Sequence, residues 1–417
     1  MKMLSVNNKD DFQIIFKMPS SSIFPFLIEV GLKGGYKKFI YCYQHNYPDT
    51  EYYLSERNLN KLGKIGFELY KDRKKFQQFL NDEKILSDKI SSYIKRNPFH
   101  FIQKGNISII IAYLKNIYTY HIAYSNLYCF TECIYTSLIE KTIKEYVSKK
   151  AKNQNEINRY LSILLNSSND KCISNKQNDI LHCFNASNEI IQLCSSIKKI
   201  GQIRLNMRTI NDRFWILFEQ TLGCLASKMN ISTKHIKQLF YNEIIKLSRS
   251  KKFVLNQKLL SEIVSRQSAF VGYTKDGIFQ YVTGRKAEII INKLRNKVPE
   301  KIIKFSGDIA SLGKVTGKVI IFPMGLGKKG KNQLINKIKL MNQGDILVTS
   351  TTGPDMVIAC KKAAAIIAEE GGILSHAAII SREFGIPAIV NTKIATKILK
   401  DGDMVNVDAY KGIVTIL

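Results

Sequence analysis

Hydrophobic and polar positions divide the 417-residue chain into three parts of different texture. Residues 1–60 contain short alternating or aromatic runs separated by glycine, proline and serine, which is typical of strands joined by turns. This part is predicted to form a small α/β or irregular N-terminal cap. Its predicted strands are Phe12–Phe16, Lys38–Tyr43 and Glu51–Leu54.

Residues 61–300 carry the pattern of helices. Apolar residues recur every three or four positions, and proline is nearly absent from the span. The pair Ser232–Thr233 precedes an apolar stripe that ends at Leu247, which indicates a capped helix start. The span is therefore predicted to be a helical domain. Further helices are predicted over residues 157–165, 212–229, 257–266 and 286–296.

Residues 301–417 change texture again, because glycine becomes frequent and the apolar runs become short and β-branched. One helix is predicted over Ser375–Phe384, which Gly385 and Pro387 terminate. We interpret this part as a compact α/β domain that follows a linker near residues 298–307. Its predicted strands are Val319–Phe322, Ile346–Thr349, Ala364–Ala368, Ala388–Val390, Met404–Val407 and Ile413–Leu417.

Composition places the chain among ordinary globular proteins, with 45% hydrophobic and 23% charged residues. The net charge of +29 raises the possibility of a nucleic-acid or anionic-membrane partner. Only twelve of the 63 basic residues are arginine, however. Proteins that bind nucleic-acid phosphates favour arginine, because its guanidinium donates two hydrogen bonds to one phosphate. Since no recognition motif accompanies the lysines, the excess is attributed to composition, and no nucleic-acid partner is expected.

The sequence lacks a signal peptide, a membrane-spanning segment and a metal-binding cysteine motif. The N-terminus has no apolar signal core, and Lys115 and Asn116 interrupt the most apolar stretch, Ile107–Tyr124. The eight cysteines form no CxxC pair and no zinc-finger spacing with histidine. A cytoplasmic protein with no membrane contact and no bound metal is therefore expected.

The chemistry of the chain concentrates around His376. A predicted strand runs into Gly371–Gly372, and the helix that follows places His376 in its first turn. The glycines allow close approach of the backbone, and the N–H groups and dipole of the helix N-terminus suit an anion. Ser375 either caps the helix or donates to an oxygen, and Arg382 either turns towards a phosphate or faces solvent. A neutral imidazole in this setting is a candidate nucleophile for a phosphoryl group.

A second glycine-rich segment, residues 325–332, nearly spells a nucleotide-binding P-loop. Asn332 stands where serine or threonine would hold Mg²⁺, and no parallel βαβ array surrounds the segment. A solvated, lysine-rich loop is the preferred interpretation. The other histidines have no partners at metal or triad spacing and are interpreted as structural; they are His45, His100, His121, His182 and His235.

The C-terminal motifs resemble, in order, the phosphohistidine domain of the PEP-utilising enzymes, a family that includes pyruvate phosphate dikinase, PEP synthase and rifampin phosphotransferase. The resemblance implies a swivelling β/β/α domain whose histidine carries a phosphoryl group between two sites. It would make His376 the phosphorylated residue, with Gly371, Gly372, Ser375 and Arg382 around it. Leu374 departs from the threonine common there. The matching segments are Gly313–Val319, Gln343–Thr349, Thr352–Asp355, Glu369–Val390 and Asp401–Asp408.

The resemblance also implies that a complete dikinase would carry an ATP-grasp domain before this one and often a PEP-binding barrel after it. Residues 1–300 lack an ATP-grasp pattern, and Leu417 directly follows the closing hairpin, so we expect neither module here. The helical domain loosely resembles the acceptor-binding segment of rifampin phosphotransferase, around Glu243, Arg266 and Thr283–Gly284. Glu243 and Arg266 fit ordinary helix-surface charges about equally well.

The leading hypothesis is a phosphotransferase component that needs a separate ATP-binding subunit. His376 would take a phosphoryl group from an ATP-derived or PEP donor, with ATP and Mg²⁺ on an ATP-grasp partner and no cofactor on this chain. The helical domain would bind a small-molecule acceptor or a partner. The alternative is a degenerate relative that only binds a ligand or partner, and a charge-driven nucleic-acid binder ranks third.

Overall fold

The structure is a computed structural model that describes residues 12–19, 25–35, 39–45, 49–96, 99–166, 171–250, 253–275, 278–295, 302–322, 327–372 and 375–417. It is mostly helical, with a sheet region at the C-terminus. None of the described helices is both long and apolar enough to cross a bilayer.

The first sheet joins two distant parts of the chain. Strands β1 (Phe12–Pro19), β2 (Ile40–Gln44) and β3 (Asp49–Ser55) confirm the three predicted strands. They pair with β4 (Ala269–Lys275) and β5 (Ile278–Thr283) in the antiparallel order β1-β3-β2-β4-β5. The prediction of helices throughout residues 61–300 is therefore wrong for this hairpin, whose strand β4 is buried almost along its length. Helix α1 (Pro25–Lys33) and helix α13 (Gly284–Leu294) both pack against strand β4 of this sheet.

Eleven labelled helices fill the chain between β3 and β4, which we call the helical region (residues 56–268). The longest of them runs for 42 residues, with Ser187 as its N-cap and Asn230 in the left-handed conformation at its end. Ser232 also caps a helix, as predicted, but the apolar stripe behind it divides into two short helices. The helices are α2 (Glu56–Lys71), α3 (Arg73–Arg96), α4 (Phe99–Lys104), α5 (Ile107–Tyr128), α6 (Cys133–Ser148), α7 (Gln154–Leu164), α8 (Lys171–Cys183), α9 (Asn188–Met229), α10 (Thr233–Ile236), α11 (Tyr241–Ser248) and α12 (Gln257–Ser268).

Residues 302–417, here called the C-terminal region, form an eight-stranded sheet that confirms every predicted strand. Four neighbouring strands, β8 to β11, run parallel at its centre, and antiparallel strands flank them in the order β6-β13-β12-β8-β9-β10-β11-β7. The strands are β6 (Lys304–Ser306), β7 (Asp308–Ser311), β8 (Lys314–Phe322), β9 (Ile346–Thr349), β10 (Ala365–Ala368), β11 (Ala388–Val390), β12 (Met404–Asp408) and β13 (Ile413–Ile416).

Each face of this sheet has its own apolar core. One core lies under α14 (Gly327–Leu340), α15 (Val357–Lys362) and α16 (His376–Phe384), and the other includes α17 (Ala395–Ile398). The centre of the predicted linker, residues 298–301, and residues 325–326 of the P-loop-like segment lie outside the described residues. The boundaries at residues 60 and 300 remain predictions.

Candidate functional site

Parallel pairing of β9 and β10 creates the site. Their carboxyl ends, Thr349 and Ala368, lie opposite each other in register. The loops that follow continue side by side, because the Glu370 N–H donates to the Ser350 carbonyl oxygen at 2.9 Å. The first loop carries Thr352 and the second leads to His376, so the two side chains meet at one edge of the sheet.

A buried carboxylate braces the two loops. Oε2 of Glu369 accepts from the Ser350 hydroxyl at 3.2 Å. Oε1 accepts from the backbone N–H and the hydroxyl of Thr396 at 2.7 and 2.6 Å. Glu369 is only 1% exposed, so the bonds hold the loops without competition from water.

The glycine pair has a specific steric role. Gly371 has a φ of +99°, and a β-carbon there would lie 2.4 Å from the Ser375 β-carbon. Ser375 caps α16, since its side-chain oxygen accepts from the Ala378 N–H at 3.3 Å. Gly371, Gly372 and Ser375 thus lie where the sequence predicted, in the turn that presents the first residue of α16. Ile373 and Leu374 lie outside the described residues.

The imidazole of His376 contacts Thr352. This threonine belongs to one of the segments that resemble the family, but the sequence assigned it no function. Thr352 Oγ1 lies 2.8 Å from His376 Nδ1. Thr352 is only 1% exposed, so this contact fixes the orientation of the ring. Engagement of Nδ1 leaves Nε2 as the ring nitrogen from which a bond can form.

Two arginines of the helical region face this site. Both belong to α9 and are four residues apart, so they lie on one side of that helix. Arg208 Nη1 donates to the Thr352 carbonyl oxygen at 3.2 Å, across the boundary between the two regions. Arg204 Nη2 donates to Glu132 Oε2 at 2.8 Å. Sequence reasoning missed both, and their four-residue spacing was the only available signal.

These surroundings keep the imidazole neutral. Burial, together with the positive charges of Arg208 and Arg204, lowers the pKa of His376 from 6.5 to about 4. A neutral ring has a free lone pair on one nitrogen, which is the form that a phosphoryl acceptor needs.

A lowered pKa has two consequences that can be measured. We expect the ring resonances of His376 to titrate near pH 4 in nuclear magnetic resonance spectra, with assignment through their loss in His376→Ala. Because the unfolded chain takes up a proton near pH 6.5 and the folded chain does not, this residue destabilises the fold as the pH falls from 6.5 to 4. A titration midpoint at pH 6 or above would contradict the described site.

The Arg382 side chain was expected either to turn towards a phosphate or to face solvent, and the structure gives it a third arrangement. Its Nε donates to the Ala310 carbonyl oxygen and its Nη1 to the Leu165 carbonyl oxygen, both at 3.0 Å. Burial lowers its pKa to about 10. Leu165 ends α7, so Arg382 binds the C-terminal region to the helical region, and its side chain points neither to a phosphate site nor to solvent.

Glu243 and Arg266 form an ion pair, and the surface-charge interpretation is wrong for Arg266. Its side chain has no exposed area, and Nη1 donates to Glu243 Oε2 at 2.7 Å. Glu243 belongs to α11 and Arg266 to α12, so the pair joins two helices of the helical region. In the described part of the chain, no three His, Cys, Asp or Glu side chains lie close enough together to hold a metal ion.

Comparison with known proteins points to the same region. Residues 341–412 match the family model for the PEP-utilising enzyme, mobile domain. A probable phosphoenolpyruvate synthase of Archaeoglobus fulgidus is 52% identical over 104 residues, which cover 24% of this chain and 14% of the relative. A second, from Pyrococcus abyssi, is 62% identical over 80 residues, which cover 19% of this chain and 9% of the relative. The matches therefore span only a small part of these relatives.

Solved structures add little to this comparison. Aconitase X of Thermococcus kodakaraensis aligns with 27% of this chain and 98% of its own, at 22% identity and a TM-score of 0.20, which is too low to support a conclusion. The sequence matches, in contrast, enclose β9, β10 and α16 together with the glycine turn and His376. Residues 341–412 of this chain are therefore similar to the mobile domain of the PEP-utilising enzymes.

Proposed function

We propose that this chain is a phosphotransferase component that carries a phosphoryl group on His376. The observation that carries the proposal is the ring geometry: a neutral imidazole at a helix N-terminus, with Nδ1 engaged by Thr352 and Nε2 left to react. Relatives named phosphoenolpyruvate synthase support the reaction class. The donor is ATP-derived or PEP, and an ATP-grasp partner would supply ATP and Mg²⁺.

The reaction has two displacements at phosphorus. In the first, the Nε2 lone pair attacks the donor phosphorus, and the P–O bond to the donor breaks with its electron pair leaving on oxygen. Attack by Nε2 requires the proton on Nδ1, where the Thr352 oxygen accepts it in a hydrogen bond. In the second, an acceptor oxygen attacks, its proton passes to solvent or a base, and the N–P electron pair returns to Nε2.

The mobile domain must reach both a donor and an acceptor. The predicted hinge spans residues 298–312, but β6 and β7 occupy most of residues 304–311 and pair within the C-terminal sheet, so they must move with it. We propose that the domain swings about the part of the hinge that precedes β6, of which residues 298–301 lie outside the described residues. The acceptor, a small molecule, would bind to the helical region, which the C-terminal region contacts through Arg208 and Arg382.

Labelling of the full chain tests this proposal. The chain is incubated with isotopically labelled PEP, or with ATP and a candidate ATP-grasp protein, and is then mapped by mass spectrometry under alkaline conditions. We expect an acid-labile phosphoryl group on His376. If no donor system labels the chain, or if the label lies on another residue, the carrier function is wrong and a ligand-binding role gains support.

Thr352→Val tests the role given to the threonine. Valine has a similar shape but no oxygen, so Nδ1–H loses its acceptor and the reactive tautomer is no longer favoured. We expect labelling to slow by about 10–100-fold. Thr352→Ser keeps the hydroxyl and is expected to label at nearly the wild-type rate. Equal rates for the valine and serine variants would remove Thr352 from the mechanism.

A further inference from the structure

The helical region brings two positive charges, Arg204 and Arg208, to the surroundings of His376. Arg204 already has a carboxylate partner, because it pairs with Glu132 and also donates to the Thr131 carbonyl oxygen. Arg208 is different: among the described residues, its only hydrogen-bond partner is the neutral carbonyl oxygen of Thr352. A guanidinium has five N–H donors, so one bond to a carbonyl oxygen leaves Arg208 donors that can bind an anion.

The same charges oppose any positive charge on His376. They help to lower the pKa of its imidazole, so the pair cannot serve to hold a protonated ring. A dianionic phosphoryl group on Nε2 would turn this repulsion into attraction. The planar guanidinium can donate two parallel hydrogen bonds to two phosphoryl oxygens. Arg208 thus suits the phosphorylated state of the site better than the unmodified one.

We propose that Arg208, supported by Arg204, is the phosphoryl-binding group that receives phosphorylated His376 when the C-terminal region is docked. The ligand is a tetrahedral phosphoryl dianion, and the inference rests on the proposed function in naming His376 as its carrier. The binding site is composite, since α9 supplies the arginines while the mobile domain supplies Thr352 and His376. Phosphorylation therefore strengthens docking, since it adds a dianion that Arg208 can bind.

Inorganic phosphate is a probe that needs no phosphoryl donor. It is titrated into the unphosphorylated full chain while the ring resonances of His376 are followed by nuclear magnetic resonance. We expect saturable shifts in the wild type and at least tenfold weaker binding in Arg208→Gln. The matched control is Arg213→Gln, an exposed arginine on the same helix, which is expected to bind phosphate like the wild type. Arg208→Lys keeps the charge and is expected to bind with intermediate affinity.

The outcomes separate this inference from the proposed function. Absence of phosphate binding in the wild type, or equal affinity in Arg208→Gln and Arg213→Gln, overturns the phosphoryl-binding role of Arg208. If phosphate binding depends on Arg208 but no donor labels His376, the anion site stands and the carrier function fails. If Arg208→Gln proves unstable, the comparison of wild type with Arg208→Lys decides, and identical affinities there overturn the paired hydrogen-bond geometry proposed for Arg208.

Discussion

Replacing His376 with alanine will abolish acid-labile phosphoryl labelling of the chain, a loss of about a thousandfold or more. Neither of the two hydroxyl groups described beside His376 is placed to replace the imidazole. The Ser375 oxygen accepts the Ala378 N–H as the helix cap, and Thr352 is almost fully buried. Labelling is measured by mass spectrometry and by the acid sensitivity of the bound phosphoryl group, which distinguishes phosphohistidine from an acid-stable phosphoserine or phosphothreonine.

The matched control is His182→Ala, because His182 is exposed on α8 in the helical region. We expect this variant to label like the wild type. The fold of His376→Ala is checked by its urea unfolding curve, which should remain cooperative with a loss of no more than about 1–3 kcal/mol, because the buried Thr352 hydroxyl loses its Nδ1 partner. Full labelling of His376→Ala would show that another residue carries the phosphoryl group.

Local signals predicted the part of the site that depends on local structure. The Gly371 turn, the Ser375 cap and the left-handed Gly385 at the end of α16 each follow from a residue's own backbone preference or capping ability. The central strands follow in the same way from their unbroken apolar runs between turns, which are typical of strands buried on both faces. This is why the strands β9, β10 and β11 and helix α16 were predicted almost to the residue, whereas helix α15 between β9 and β10 was not predicted.

Long-range pairing was beyond the reach of the same signals. Thr352 is 24 residues from His376, and the contact depends on the parallel register of β9 and β10. Strand β4 is much farther from its partner β2, since Tyr43 pairs with Phe270, and its sequence directly continues an amphipathic helix. A pattern of hydrophobic residues fixes which face of an element is buried, but it does not name the neighbour that buries it.

Charge is a signal of the whole chain and says little about single positions. The scarcity of arginine argued only against a nucleic-acid partner as the reason for the net charge. Tertiary structure gives Arg204, Arg208 and Arg382 each a hydrogen bond to a backbone carbonyl oxygen, and the bonds of Arg208 and Arg382 join the helical and C-terminal regions. The number of arginines in the sequence carries no information on such contacts, because they depend on which elements lie side by side.

Replacing Glu243 with glutamine will lower the free energy of unfolding of the helical region by about 3 kcal/mol. Glu243 makes two hydrogen bonds to the Arg266 guanidinium, at 2.7 and 2.8 Å, and glutamine leaves that buried charge unpaired. The guanidinium also stacks on Phe240, 4.4 Å from the ring centroid, and has no exposed area, so it cannot turn to water. The single tryptophan, Trp215, packs in the helical region and reports its unfolding in urea by fluorescence.

Glu262→Gln is the matched control, because Glu262 faces the same guanidinium more loosely. Its Oε1 lies 3.6 Å from Arg266 Nε, and its side chain is 35% exposed, so water and salt already weaken the contact. We expect a loss below about 1 kcal/mol for this variant. Equal losses for the two variants would mean that the general negative charge around Arg266 matters rather than the paired geometry with Glu243. Replacing Arg266 and Glu243 together by methionine and leucine is expected to restore most of the stability, because no buried charge then remains.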